Sequence, residues 1–144
     1  MFRDAVSFCG DISSWNTSSL RKTERMFERA RNFTSDIGGW DVSRVTFVAN
    51  MFNGAVSFSA NLGSWDTSSM TSMHRMFADA RSFNGDVSTW DVSHVTNLGE
   101  MFNGARSFNG NLRDWDVSSV TDLTVRTPRV CTRLGHLPAV AWRA

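Results

Sequence analysis

Residues 90–108 read Trp-Asp-Val-Ser-His-Val-Thr-Asn-Leu-Gly-Glu-Met-Phe-Asn-Gly-Ala-Arg-Ser-Phe, and this stretch is one unit of an internal repeat. The same pattern returns at a fixed interval along most of the 144-residue chain. Its Met-Phe pair, for example, begins at Met1, Met26, Met51, Met76 and Met101. A strict period of this length predicts a solenoid, in which each unit buries its apolar face against its neighbours.

One half of each unit has the apolar spacing of an amphipathic helix. The apolar residues lie at positions i, i+3, i+6, i+7 and i+10, which in one copy are Val45, Val48, Met51, Phe52 and Ala55. That spacing places them on one helical face. The serine just upstream, Ser43 in this copy, has the chemistry of an N-cap, so the pattern predicts a helix in each unit.

The other half of each unit predicts a short strand. The Asn84-Gly85 pair is a turn signal, and residues 86–92 then contain β-branched and aromatic residues. We therefore expect a strand of about three to five residues within this range and its equivalents. Together the two halves predict an α/β, right-handed, leucine-rich-repeat-like solenoid of about five 25-residue turns, with short parallel strands on one face and helices on the other.

Composition and charge divide the chain into two parts. The repeat covers residues 1–123, and we interpret it as a fragment of a longer array. Residues 124–144 lack the pattern and contain four Arg and no acidic residue, so we expect a basic, disordered tail. The net charge of +1 argues against nucleic acid as a partner. No apolar run reaches the length of a transmembrane helix, and no signal peptide is visible.

The repeat resembles a known family. The run from Met76 to Leu98 is similar to the Met-Phe-x-x-Ala-x-x-Phe-Asn-x-Asp-Leu-Ser-x-Trp-Asp-Val-Ser-x-Val-Thr-x-Met repeat of the BspA-like leucine-rich-repeat surface proteins. The resemblance covers residues 1–123. It implies a surface-exposed or secreted repeat protein used in adhesion or protein binding, and it implies no enzymatic activity.

A tryptophan ladder is the candidate binding feature of the repeat. One tryptophan occurs at the same place in every unit: Trp15, Trp40, Trp65, Trp90 and Trp115. If these side chains face outward, they form an aromatic strip that can stack sugars or anchor a protein. If they face inward, they are part of the core. The spacing from Val87 to Trp90 to Val92 is irregular, so the sequence leaves both alternatives open.

An aspartate ladder follows the tryptophans, at Asp41, Asp66, Asp91 and Asp116. Carboxylates stacked at the strand spacing of about 4.8 Å repel one another, so a compensating interaction is required. The local solution is an Asx-turn, because each aspartate begins an Asp-x-Ser sequence. Calcium coordination is the alternative, but the Gly-rich spacing of calcium-binding solenoids is missing. We therefore assign the ladder a structural role, with no metal and no cofactor.

These observations favour a non-enzymatic protein- or glycan-binding module with an adhesion role. Recognition would then fall to outward residues that vary between units, such as Ser64, Thr89, Arg113 and Asp114. The alternatives are a structural spacer and a carbohydrate-active enzyme, which needs two carboxylates about 5–9.5 Å apart. Because the array lacks recognisable caps, end-to-end self-association is a further expectation.

Overall fold

The computed structural model describes residues 1–124, and within them it contains no helix and no extended strand. The only β-type pairing in this part of the chain is a column of isolated parallel bridges, which join Lys22 to Phe47, Phe47 to Ser72, Ser72 to Asn97 and Asn97 to Asp122. The prediction of an α/β leucine-rich-repeat-like solenoid is therefore wrong. The fold is coil-rich and is built from turns.

The turns are organised as a stack of repeat units, which we number 1 to 5 and take as residues 1–25, 26–50, 51–75, 76–100 and 101–124. Equivalent backbone groups join successive units. The N–H groups of Phe2, Phe27, Phe52 and Phe77 donate to the carbonyls of Met26, Met51, Met76 and Met101, each at 2.9 Å. Each unit thus lies in register on the next, so the period seen in the sequence is also the period of the structure.

The predicted helix fails because its backbone donors bond to the neighbouring unit. In unit 3 and the residues just before it, alternate N–H groups donate to carbonyls of the following unit. These donors are Val48, Asn50, Phe52 and Gly54, and their acceptors are Ser72, His74, Met76 and Ala78. An α-helix would use the same groups for bonds to residue i−4. The intervening N–H groups of Met51 and Asn53 instead close four-residue turns, to the Val48 carbonyl at 3.1 Å and the Asn50 carbonyl at 3.2 Å.

Backbone angles also exclude a helix in this segment. Two positions in the repeat adopt a left-handed conformation, and their members are Asp4, Arg25, Arg29, Asn50, Gly54, Arg75, Asp79, Glu100 and Gly104, with φ between 53° and 73°. A right-handed helix needs a φ of about −63° at every residue. The left-handed residues therefore break the helix while preserving the inward direction of the apolar side chains.

The predicted strand at residues 86–92 and its equivalents is also absent. The Trp90 N–H closes a turn to the Val87 carbonyl at 3.3 Å, and the Ser88 N–H donates to the Asp86 carboxylate at 2.9 Å. Local turn bonds thus satisfy donors that a sheet would use. The parallel bridges form at Phe47, Ser72 and Asn97, within the segment for which a helix was predicted.

Columns of stacked aromatic rings form the core. Successive residues of the Phe2 column (Phe2, Phe27, Phe52, Phe77 and Phe102) lie 5.5–5.7 Å apart between ring centroids. The second column contains Phe8, Phe33, Phe58, Phe83 and Phe108, at 5.5–6.0 Å. Within a unit the two columns contact, as in Phe77 and Phe83 at 3.8 Å. Side chains of this size bury about 150–250 Å² each, so the two columns are a large part of the apolar burial.

The helical face predicted for Val45 to Ala55 is correct as a set of inward side chains. Val45, Val48, Met51, Phe52 and Ala55 are all fully buried. No helix in residues 1–124 is long or apolar enough to cross a membrane. The prediction of a basic, disordered tail at 124–144 falls, apart from Thr124, outside the described residues.

Candidate functional site

The tryptophan ladder lies in the core in four of the five units. Trp40, Trp65, Trp90 and Trp115 are 3–4% exposed. Each indole N–H donates to a carbonyl 28 residues earlier, in the preceding unit; for Trp65 the acceptor is the Ile37 carbonyl at 3.0 Å. Of the two alternatives left open by the sequence, burial therefore places these four side chains inward, where they connect neighbouring units.

Trp15 differs from the other members of the ladder. Its side chain is 45% exposed, although its ring stacks on that of Trp40 with 6.5 Å between centroids. It belongs to unit 1, and no described unit lies on its other side. Within residues 1–124, this one indole has the exposure that a binding strip would need.

The aspartate ladder makes local turns. Asp41, Asp66 and Asp91 each accept the backbone N–H and the hydroxyl of the serine two residues later, at 3.0–3.1 Å and 2.6–2.7 Å. Asp116 accepts the Ser118 N–H at 3.0 Å. The geometry is that of the predicted Asx-turn. The serine expected to cap a helix donates to this carboxylate instead.

These hydrogen bonds also act on ionisation. The Ser43 hydroxyl and then its N–H lower the pKa of Asp41 below the ordinary value of 3.8. The equivalent serine hydroxyls and N–H groups lower the pKa of Asp91 and of Asp116. Donors that bond to a carboxylate favour its charged form, so the turns themselves compensate for the stacking of negative charge.

A second polar ladder uses the same turn with either Asp or Asn. Asp11, Asp36, Asn61, Asp86 and Asn111 each accept the N–H of the residue two positions later, at 2.9–3.2 Å. Because the amide oxygen of asparagine does the same work as the carboxylate, the negative charge is dispensable here. No group of three or more His, Cys, Asp or Glu side chains in residues 1–124 is placed to hold a metal ion.

An arginine-lined groove of about 520 Å³ lies on the surface of the stack. Its lining comprises Arg29, Arg31, Asn32, Asn53, Gly54, Val56, Ser57, Asp79 and Arg81. The groove is centred on unit 3, where Gly54 and Val56 stand at positions occupied by larger side chains in units 2 and 4. Three arginines and one aspartate give its lining a net positive charge.

The arginines of this groove have different partners. Arg29 donates to the Asp4 carboxylate at 3.2 Å across one unit boundary. Arg31 and Arg81 are exposed, and no carboxylate of residues 1–124 lies within 4.0 Å of either guanidinium. Their cationic groups are therefore available to an external anion.

The second groove, of about 440 Å³, is lined by Asp36, Gly38, Gly39, Asn61, Gly63, Ser64, Asp86 and Thr89. It contains two residues predicted from the sequence as variable contacts, Ser64 and Thr89. Both hydroxyls already donate to a carbonyl of the preceding unit: Ser64 to Gly38 at 2.8 Å and Thr89 to Gly63 at 2.7 Å. Arg113 and Asp114 are exposed but do not line either groove.

The sequence prediction did not include the arginine-lined groove, because the groove depends on positions that differ between units and the repeat pattern contains only the residues that the units share. The available signal was variation at two positions. One reads Asp4, Arg29, Gly54, Asp79 and Gly104, and the other reads Val6, Arg31, Val56, Arg81 and Arg106. A small residue between larger neighbours in a stack leaves a gap, and two positions that do so in the same unit mark a groove.

The stacked repeat units, with their in-register hydrogen bonds and aromatic columns, define a repeat protein, as the sequence predicted. The chain belongs to the family described as "Mycoplasma protein of unknown function, DUF285", whose model matches residues 1–55 and 32–127. Two overlapping matches to one model are consistent with an internal repeat. No curated protein and no solved structure matches the chain.

Proposed function

We propose that this chain is a non-enzymatic binding module whose exposed, unit-to-unit variable positions recognise a protein or glycan partner. The observation that carries the proposal is that recurring residues and variable residues have different surroundings in the stack. The phenylalanines and tryptophans that recur in each unit, and the ladder aspartates of units 2 to 5, have structural partners within the stack. Several residues that differ between units, such as Arg29, Gly54 and Asp79, line a groove.

A surface-exposed or secreted location and an adhesion role are part of this proposal. The resemblance of Met76 to Leu98 to the BspA-like surface repeats supports them. A stack of in-register units presents a long, regular face, and such a face suits binding to an extended partner. End-to-end association of stacks would lengthen that face further.

Binding of the whole chain to a panel of purified matrix proteins and glycans tests the proposal. A partner should be retained, and substitution of exposed variable residues should abolish binding without changing the melting temperature. The double variant Arg113→Ala and Asp114→Ala alters variable exposed residues outside both grooves, and Arg31→Ala with Arg81→Ala alters the groove. If no member of the panel is retained, the structural spacer becomes the better explanation, since the regular stacking suits that role equally well.

A further inference from the structure

The arginine-lined groove assigns a chemical class to the partner. Resting on the proposed binding function, we infer that the groove takes an extended acidic peptide segment, with its carboxylates on Arg31 and Arg81. The guanidinium group has planar, forked donors that match a carboxylate in a bidentate arrangement. These two arginines are exposed and have no carboxylate of residues 1–124 within 4.0 Å.

The architecture sets the spacing of the two cationic groups. Arg31 and Arg81 occupy equivalent positions two units apart. Parallel backbone pairing stacks chains about 4.8 Å apart, so two units correspond to roughly 10 Å. An extended peptide in the polyproline II conformation presents the same face every third residue, after about 9.3 Å. A segment with glutamate at every third position therefore matches the arginine spacing.

The backbone of Gly54 lies in the floor of the groove, packed against Arg29. Gly54 has φ of +72° and no side chain, and an added Cβ there would lie 3.3 Å from Arg29 Cγ. Asn32, Asn53 and Ser57 add polar groups to the lining, and polar groups of this kind can bond to a peptide backbone. No aromatic ring lines the groove. Since aromatic faces are the usual stacking surface for sugars, the lining favours a peptide over a glycan.

Binding of a fluorescently labelled Glu-Pro-Pro repeat peptide tests the inference, with a Gln-Pro-Pro repeat as the uncharged control. The whole chain should bind the first and not the second. Binding should weaken when ionic strength rises from about 0.15 M to about 1 M, because the Debye length falls from about 8 Å to about 3 Å. The double variant Arg31→Gln and Arg81→Gln should weaken binding at least about tenfold, since each loses a charge-assisted hydrogen bond.

Two further variants distinguish peptide binding in the groove from attraction of the peptide to the net charge of the protein. Arg21→Gln with Arg44→Gln removes the same charge from exposed positions outside the groove, and affinity should stay within about twofold, since distant charges are screened. Gly54→Asn fills the floor with a residue that tolerates the left-handed conformation and should weaken binding while the groove arginines remain.

Four results would overturn the inference. Equal loss in the two double-arginine variants would mean that the peptide follows net charge, not the groove. Binding of a sulfated glycosaminoglycan in place of the peptide, with the same dependence on Arg31 and Arg81, would assign the groove to a glycan and leave the proposed function standing. If neither probe binds but the panel of matrix proteins and glycans yields a partner, the inference about the groove is refuted and the proposed binding function stands. Absence of binding in both experiments would remove the proposed function as well.

Discussion

Replacing Trp65 by Phe should destabilise the stack through one identifiable contact between units. The Trp65 side chain is 4% exposed, and its indole N–H donates to the Ile37 carbonyl at 3.0 Å. Phenylalanine preserves an aromatic ring at the site but has no N–H and a smaller surface. The substitution therefore removes the hydrogen bond between units 2 and 3 and part of the buried apolar area.

The magnitude follows from the partners that remain. The Ile37 carbonyl also accepts the Trp40 backbone N–H at 3.0 Å, so it is not left unsatisfied, and the lost bond costs about 1 kcal/mol. The smaller ring loses roughly two methylene equivalents of burial, about 1.5 kcal/mol. The free energy of unfolding should thus fall by about 2.5 kcal/mol. For a domain of this size, that loss lowers the melting temperature by roughly 10 °C.

Scanning calorimetry of the whole chain measures this effect, with Trp15→Phe as the matched control. The Trp15 side chain is 45% exposed, so the same chemical change there should cost less than about 1 kcal/mol. Equal shifts in the two variants would refute the role of the buried indole bond. An unchanged melting temperature for Trp65→Phe would show that the units are held together without it.

Three other predictions concern turns and close packing. Asp91→Ala should destabilise the fold by up to about 1 kcal/mol through loss of its Asx-turn. Asp91→Asn should be nearly neutral, because Asn16 at the equivalent position accepts the same two bonds, from the N–H and the hydroxyl of Ser18. The midpoints of urea unfolding measure both effects, and equal midpoints for the two variants would contradict the role of the turn. Lowering the pH below 3.8 should lower the melting temperature, because the pKa values of Asp41, Asp91 and Asp116 are lowered in the fold. Each of these carboxylates stabilises the fold above pH 3.8 and loses that contribution as it becomes protonated at lower pH. A melting temperature that stays constant down to about pH 2 would contradict this prediction. Gly85→Ala should destabilise the fold by about 1–3 kcal/mol, because its Cβ would overlap the Ala60 carbonyl oxygen. Gly39→Ala is the control: a Cβ there meets nothing within 4 Å, so the variant should be neutral or slightly stabilising. Calorimetry measures both melting temperatures, and equal values would contradict the close packing at Gly85.

Much of the core could be predicted without coordinates. The inward positions of Val45, Met51 and Phe52 followed from spacing, and burial confirms them. The Asx-turn at Asp91 followed from the Asp-x-Ser sequence, because that bond spans only two residues. Such features depend on groups that are close along the chain, so local sequence carries them.

The helix prediction failed because hydrogen bonds between units, which the sequence of one unit does not show, determine the backbone conformation. Apolar residues at spacings of three and four fit a helix, but they fit a chain of successive four-residue turns equally well. What distinguishes the two is the acceptor for donors such as the Phe52 N–H, which is the Met76 carbonyl of the next unit. The left-handed angle at Arg29 and Arg75 gave no sequence warning, because arginine rarely adopts it.

The candidate groove could be predicted only in part. The small residues at Gly54 and Val56 and the arginines at Arg31 and Arg81 are visible in the sequence. These residues line one groove only because the units stack in register, which brings residues that are distant along the chain close together.

The sequence by itself determined the period, the aromatic content of the core and the local turns, because these depend on residue type and short spacing. The stretch from Trp90 to Phe108 contains nearly all of that information. Only the tertiary structure decided that the backbone makes turns in place of helices and strands, that Trp90 points inward to the Leu62 carbonyl, and that a cationic groove opens at unit 3. The physical reason is that one unit cannot satisfy its own donors or bury its own rings, so its conformation is set by the unit stacked beside it.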